Sequence, residues 1–83
     1  MKLIYCPRCE DLRKLALAKQ KCACGASFGR YESDGWHAKI GGKAIPVGVD
    51  NHSFLTALHR KPAGFTAFFI KLPCPTIETG WKG

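Results

Sequence analysis

Four cysteines stand in two tight pairs, Cys6 and Cys9 in "CPRC" and Cys22 and Cys24 in "CACG", with twelve residues between the pairs. Sulfurs three residues apart on a turn can converge on one tetrahedral ion, which takes Zn–S bonds of about 2.3 Å. Pro7 suits the first turn, and Gly25 gives the backbone freedom behind the second. An S4 donor set suits both zinc and iron. Reduced, unmetallated cysteines and disulfides are the alternatives that the spacing leaves open. Cys74, the fifth cysteine, is held between two prolines in "LPCPT". It reads as a free, half-buried thiol, with replacement of Cys24 as fourth ligand as the other option.

The remaining polar residues point to binding rather than to catalysis. His52 and His59 are seven apart, so on a helix they share a face at about 10 Å, too far for one ion. His37 reads as a packed or surface residue on a strand. No Ser/His/Asp or Cys/His constellation and no convincing carboxylate pair is visible, so no enzyme is expected. In "GGKAIPVGVDNHSF", Lys43, Asn51 and Ser53 gather near a helix start, whose free N–H groups favour an anion. A simple cap at Asp50 or Asn51 would consume those donors, and Asp50 would repel a phosphate. Tyr31 and Trp36, with Phe28, fall among Arg30 and Lys39, where exposed rings could stack bases while cations meet phosphate. Core use is the default for such rings, and two of the three are expected inside. Arg13 and Lys14 complete the candidate phosphate contacts. Trp81, beside Lys82, reads as exposed or as part of an intermolecular contact.

These residues must be positioned by a small scaffold. A chain of 83 residues has room for one domain with a modest core, a size at which metals or disulfides often reinforce the fold. Thirteen Lys and Arg against six Asp and Glu give a formal charge of +7, which favours anionic partners such as nucleic acid or nucleotides. The basic residues are spread along the chain, paired only at Arg13-Lys14 and Arg60-Lys61. "MKLIYC" lacks the apolar core of a signal peptide, and the apolar run Ala67 to Ile70 is far short of the about 20 residues a membrane span needs. A soluble, cytoplasmic protein is expected, a compartment in which disulfides are rare.

"KLIY" reads as a strand entering the first cysteine pair. "DLRKLALAKQK" is ambiguous: Leu15 and Leu17 alternate as in a strand, but most of its residues are good helix formers. The metal frame favours a hairpin there. "SFGRY" and "WHAKI" flank Glu32-Ser33-Asp34-Gly35, a hairpin signal in which Asp34-Gly35 supplies positive φ angles. Gly41-Gly42 separates a further strand, "AIPVGV". Asp50 or Asn51 then caps a short helix through "SFLTALHR", and "KPAG" makes a turn. "FTAFFIKL", apolar on both faces, reads as a central strand covered on both sides. "TIETGW" is a possible last, edge strand.

The two cysteine knuckles, with Pro7 and Gly25, resemble those of zinc ribbons and rubredoxin-like sites. The resemblance implies that Cys6, Cys9, Cys22 and Cys24 are ligands to Zn2+, with iron second because a rubredoxin site would want a second full C-x-x-C pair. Two departures stand out: Glu10 occupies the usual glycine position of the first knuckle, and the second pair is one residue shorter than usual. The order of knuckles, "GRY…DG…A" hairpin and "N-x-S-F" also resembles small zinc-ribbon proteins of bacteria and phages. That resemblance leaves open a protein that sequesters a nucleotide signal or blocks a host complex. The expected fold is α+β, a small zinc-ribbon-like domain spanning 1–83. Five or six short, mostly antiparallel strands accompany one short helix, with knuckles in 1–30 and a β-rich remainder in 31–83. The expected function is non-enzymatic binding of a phosphate-rich ligand, nucleic acid or nucleotide. The rival is a protein-interaction or inhibitor module, with a homo-oligomer as one form of it.

Overall fold

The computed structural model describes residues 1–60 and 64–83, which form eight strands and one helix. In chain order these are β1 (Lys2–Tyr5), β2 (Leu12–Lys14), β3 (Gln20–Lys21), β4 (Ser27–Tyr31), β5 (Ala38–Gly42) and β6 (Ile45–Val49), then α1 (Asn51–Arg60), β7 (Ala67–Phe69) and β8 (Ile77–Glu78). Two four-stranded sheets result. The first has the order β2-β1-β6-β7 and is antiparallel throughout; the second has the order β3-β4-β5-β8, with only β8 running parallel to its neighbour.

Alternation decides which side chains the sheets share. In β4, Ser27 and Gly29 are buried while Phe28 and Arg30 point outward; in β5, Ala38 and Ile40 are buried between them. Ile4 from β1 and Leu15, just past β2, meet Ala38, Ile40 and Ile77 in the core, with Tyr31, Ala44, Ile70 and Cys74 packed at its margin. Asp50 caps α1: its Oδ1 accepts the His52 N–H at 3.2 Å and its carbonyl accepts the Phe54 N–H at 3.0 Å. Only Ala57 of the helix is buried, and Phe54 packs edge-on against Phe65 with centroids 4.9 Å apart.

Several expectations need correction. The strands number eight against the expected five or six, because "DLRKLALAKQK" supplies two short ones, β2 and β3, whereas "TIETGW" does hold the last, edge strand, β8. The "DLRKLALAKQK" segment is extended as favoured, yet it is split between the sheets: β2 pairs with β1 and β3 with β4. β5 begins at Ala38 and includes Gly41 and Gly42. His37 lies in the turn, where Asp34 holds it, and not on a strand. "FTAFFIKL" yields an edge strand with exposed rings, because nothing among the described residues pairs with the far side of β7. The "KPAG" turn lies largely outside the described residues.

Candidate metal centre and cationic face

The first knuckle is the connection from β1 to β2 in one sheet, and the second connects β3 to β4 in the other. Each is closed by its own backbone: Glu10 N–H donates to Cys6 O at 2.8 Å, and Gly25 N–H to Cys22 O at 3.1 Å. Both turns need a left-handed residue. Gly25 takes φ 79°, and Glu10 takes φ 61° despite its side chain, at the position where the first knuckle usually has glycine. Asp11 ties the two knuckles together, its carbonyl accepting the Cys6 N–H at 2.9 Å and its Oδ2 the Ala23 N–H at 2.8 Å.

The ligand atoms of Cys6, Cys9, Cys22 and Cys24 all lie within 4.8 Å of one another. Cys6 and Cys24 sulfurs are 3.8 Å apart, and those of Cys22 and Cys24 3.6 Å. A tetrahedron with Zn–S bonds of about 2.3 Å has edges of about 3.8 Å, whereas a disulfide needs about 2.05 Å. The spacing therefore fits one tetrahedral ion, and all five cysteines are free thiols. The short C-x-C pair reaches the site without difficulty. Cys74 stands apart from the cluster, half-buried, with its sulfur 3.3 Å from the Thr76 hydroxyl.

The thiols respond to their crowding in opposite directions. Ser27 Oγ is fully buried and has no partner at standard hydrogen-bond geometry. Placed loosely beside Cys6, it is the main influence drawing that thiol down to about 6, ahead of the Cys9 and Arg8 backbone N–H groups and against burial. Cys24 goes the other way. Although the Ala26 N–H favours its thiolate, burial and the Cys22, Cys9 and Cys6 sulfurs push it up to about 11. Four thiolates this close repel one another unless a cation sits between them, and the Ser27 N–H, 3.3 Å from the Cys22 sulfur, is placed to support one of them.

A second concentration of chemistry covers the outer face of the second sheet. Register places Lys21 opposite Phe28, and Arg30 opposite Lys39, so all four project from that face. The chain end crosses the same face, with the Trp81 N–H donating to Ile40 O at 3.1 Å. Gly41 permits this crossing: a Cβ there would lie 1.8 Å from the Trp81 carbonyl oxygen and 2.4 Å from the Phe28 ring. Trp81 meets Phe28 edge-to-face at 5.8 Å. Lys19 Nζ lies 4.7 Å from the Phe28 centroid and 5.5 Å from that of Trp81, and the Arg30 guanidinium is 5.6 Å from Trp81. Lys39 is partly neutralised by Glu32 at 3.5 Å and Glu78 at 3.9 Å.

The structure thus brings Arg30 and Lys39 together on this face, gathers Lys14, Tyr31 and Asn51 around a separate cavity beside Met1 and Phe54, and sets the other candidate ligand residues apart from both. Tyr31 faces inward, its hydroxyl accepting the Lys2 N–H at 2.7 Å. Trp36 is exposed in the β4–β5 turn under Lys2 Nζ, 4.2 Å from its centroid. Arg13 is engaged by Asp11 at 2.7 Å, and Lys14 lies on the first sheet. Lys43 is in the β5–β6 turn. At the helix start, Asn51 Oδ1 accepts from the Met1 amine at 2.8 Å, while the Ser53 hydroxyl donates to Asp50 O and accepts the Thr66 N–H at 2.9 Å. Lys19, Lys21 and Trp81, which the sequence did not single out as ligand candidates, lie on this face. The alternation of β4 already pointed to Phe28 and Arg30 sharing a face, but nothing in the sequence signals that the tail lies across it. No family model, curated protein or solved structure matches the chain, so its functional reading rests on these residues.

Proposed function

We propose that the chain is a zinc-held, non-enzymatic binding module whose second sheet takes a phosphate-rich, base-bearing ligand, single-stranded nucleic acid or a nucleotide, on its outer face. Cys6, Cys9, Cys22 and Cys24 would hold the ion, whose contribution is a structural cross-link with no redox change. Zinc is preferred over iron because the second pair is not a full rubredoxin-type knuckle. The observation that carries the ligand reading is the convergence of Lys19, Lys21 and Arg30 around Phe28 and Trp81. Rings offer every base a π face, and the surrounding cations neutralise phosphate without reading sequence. A base stacks by displacing one cation from a ring, and that cation then turns to the phosphate.

The test is anisotropy of a labelled oligothymidylate with zinc-loaded protein at increasing salt, repeated with a mononucleotide as competitor. Affinity is expected to fall linearly on a log–log salt plot. Trp81→Ala should weaken binding by about tenfold, within the range for one stacked base, whereas Trp36→Ala should leave it unchanged. Absence of binding at low salt for both probes, or equal losses for the two tryptophans, would end this reading.

A further inference from the structure

We propose that the free edge of β7 pairs with the β7 of a second copy, joining the two first sheets into one continuous antiparallel sheet about a two-fold axis at Phe68. Edge strands are normally guarded by charges, proline, a bulge or a covering element. From Phe65 to Ile70 this strand has no charged residue and no proline, and Phe65, Phe68 and Phe69 are 48, 52 and 69% exposed. Its backbone is aligned for a partner. Ile70 N–H donates to Pro46 O and Asp50 N–H to Thr66 O, so residues 66, 68 and 70 turn their polar groups toward β6. Alternation then turns the N–H and C=O of Ala67 and Phe69 outward.

These two residues decide the register and favour a second copy over another occupant. With Phe68 on the axis, Ala67 faces the partner's Phe69 and Phe69 faces the partner's Ala67. Each is a hydrogen-bonded pair, giving four bonds, and each sets a large side chain beside a small one. The Phe68 rings meet at the close, non-hydrogen-bonded position between them. Phe65 comes opposite the partner's Lys71, where a cation can lie over the ring. A partner selected by charge has nothing to read here, while a two-fold pairing uses the same uncharged strand twice. Area is consistent with that choice. The exposed parts of Phe65, Phe68, Phe69 and Leu72 amount to about 400 Å² per copy. A pair thus buries at most about 800 Å² of these side chains, against about 1,200–2,000 Å² for a standard interface, so a modest, concentration-dependent dimer is expected.

Sedimentation velocity of the full, zinc-loaded, nucleic-acid-free chain over a range of concentrations, in high salt, tests this independently of ligand binding, because bridging by nucleic acid is lost in high salt and strand pairing is not. A monomer–dimer equilibrium is expected. Ala67→Pro removes an N–H that faces away from β6, so it should weaken the dimer at least about tenfold and leave the circular dichroism spectrum intact. Phe69→Lys, which keeps the backbone donor, should do the same through charge repulsion. A chain that is monomeric at all concentrations overturns the proposal. So does a dimer that survives both substitutions, or an open-ended series of larger species.

Discussion

Glu10 pays a conformational cost that glycine would not. Its φ of 61° is forced by the knuckle that brings Cys6 and Cys9 together, and a left-handed L-residue costs about 1–2 kcal/mol. Glu10→Gly should therefore raise the stability of the metal-loaded protein by about 1 kcal/mol in urea unfolding, after allowing for glycine's greater freedom when unfolded. Asp34 offers a test by pH. The Trp36 N–H, then the His37 side chain and N–H, hold its carboxyl down at about 2, below the usual range near 3.9. A depressed carboxyl contributes stability that is present above about pH 4 and lost as pH falls toward 2. The pair is exposed, so the effect is small; Asp34→Ala should flatten the acid limb of a stability–pH curve between those values, by lowering stability slightly at neutral pH and leaving it unchanged near pH 2. At this scale the cysteine spacing was enough to find the four metal-ligand candidates. Ser27 was invisible, because a serine in "GASFG" carries no mark of lying buried against a thiol.

At the scale of elements, the second sheet and its crossing tail form one unit. Gly41 lies beneath the tail, so Gly41→Ala must displace either the Trp81 carbonyl or the Phe28 ring, an overpacking cost of about 1–3 kcal/mol. Tryptophan emission should shift to longer wavelength as Trp81 leaves Phe28, whereas in Trp36→Ala it should not. The helix supplies a control: Asp50→Ala removes its cap and should cost about 1 kcal/mol in thermal unfolding without altering oligonucleotide binding. β1, β4, β5, β6 and the helix were legible because alternation, the Asp34-Gly35 turn and the Asp50 cap act over short distances. β7 was misread for a physical reason. An all-apolar run looks the same whether a sheet covers it on both sides or leaves its rings exposed. β3, two residues long, exists only through tertiary pairing, which no local pattern encodes, whereas β8 falls within "TIETGW", the segment read as a last, edge strand.

Across the whole molecule, two small sheets share a core whose buried cluster, among the described residues, is Ile4, Leu15, Ala38, Ile40 and Ile77. Each sheet contributes one cysteine pair to the cluster at their shared end, so an ion there would cross-link the sheets. The arrangement of knuckles on separate sheets was not legible: the sequence showed two knuckles, but not that β2 and β3 part company between them. Among the described residues no helix is long and apolar enough to cross a membrane. If one ion on the four cysteines holds the two sheets together, as proposed, native mass spectrometry of protein purified without chelator should detect it. One zinc per chain is expected, lost together with compact charge states when Cys6→Ser or Cys22→Ser removes a ligand from either sheet. A chain carrying no ion, whether its thiol hydrogens are all present or are missing through disulfide formation, would contradict it.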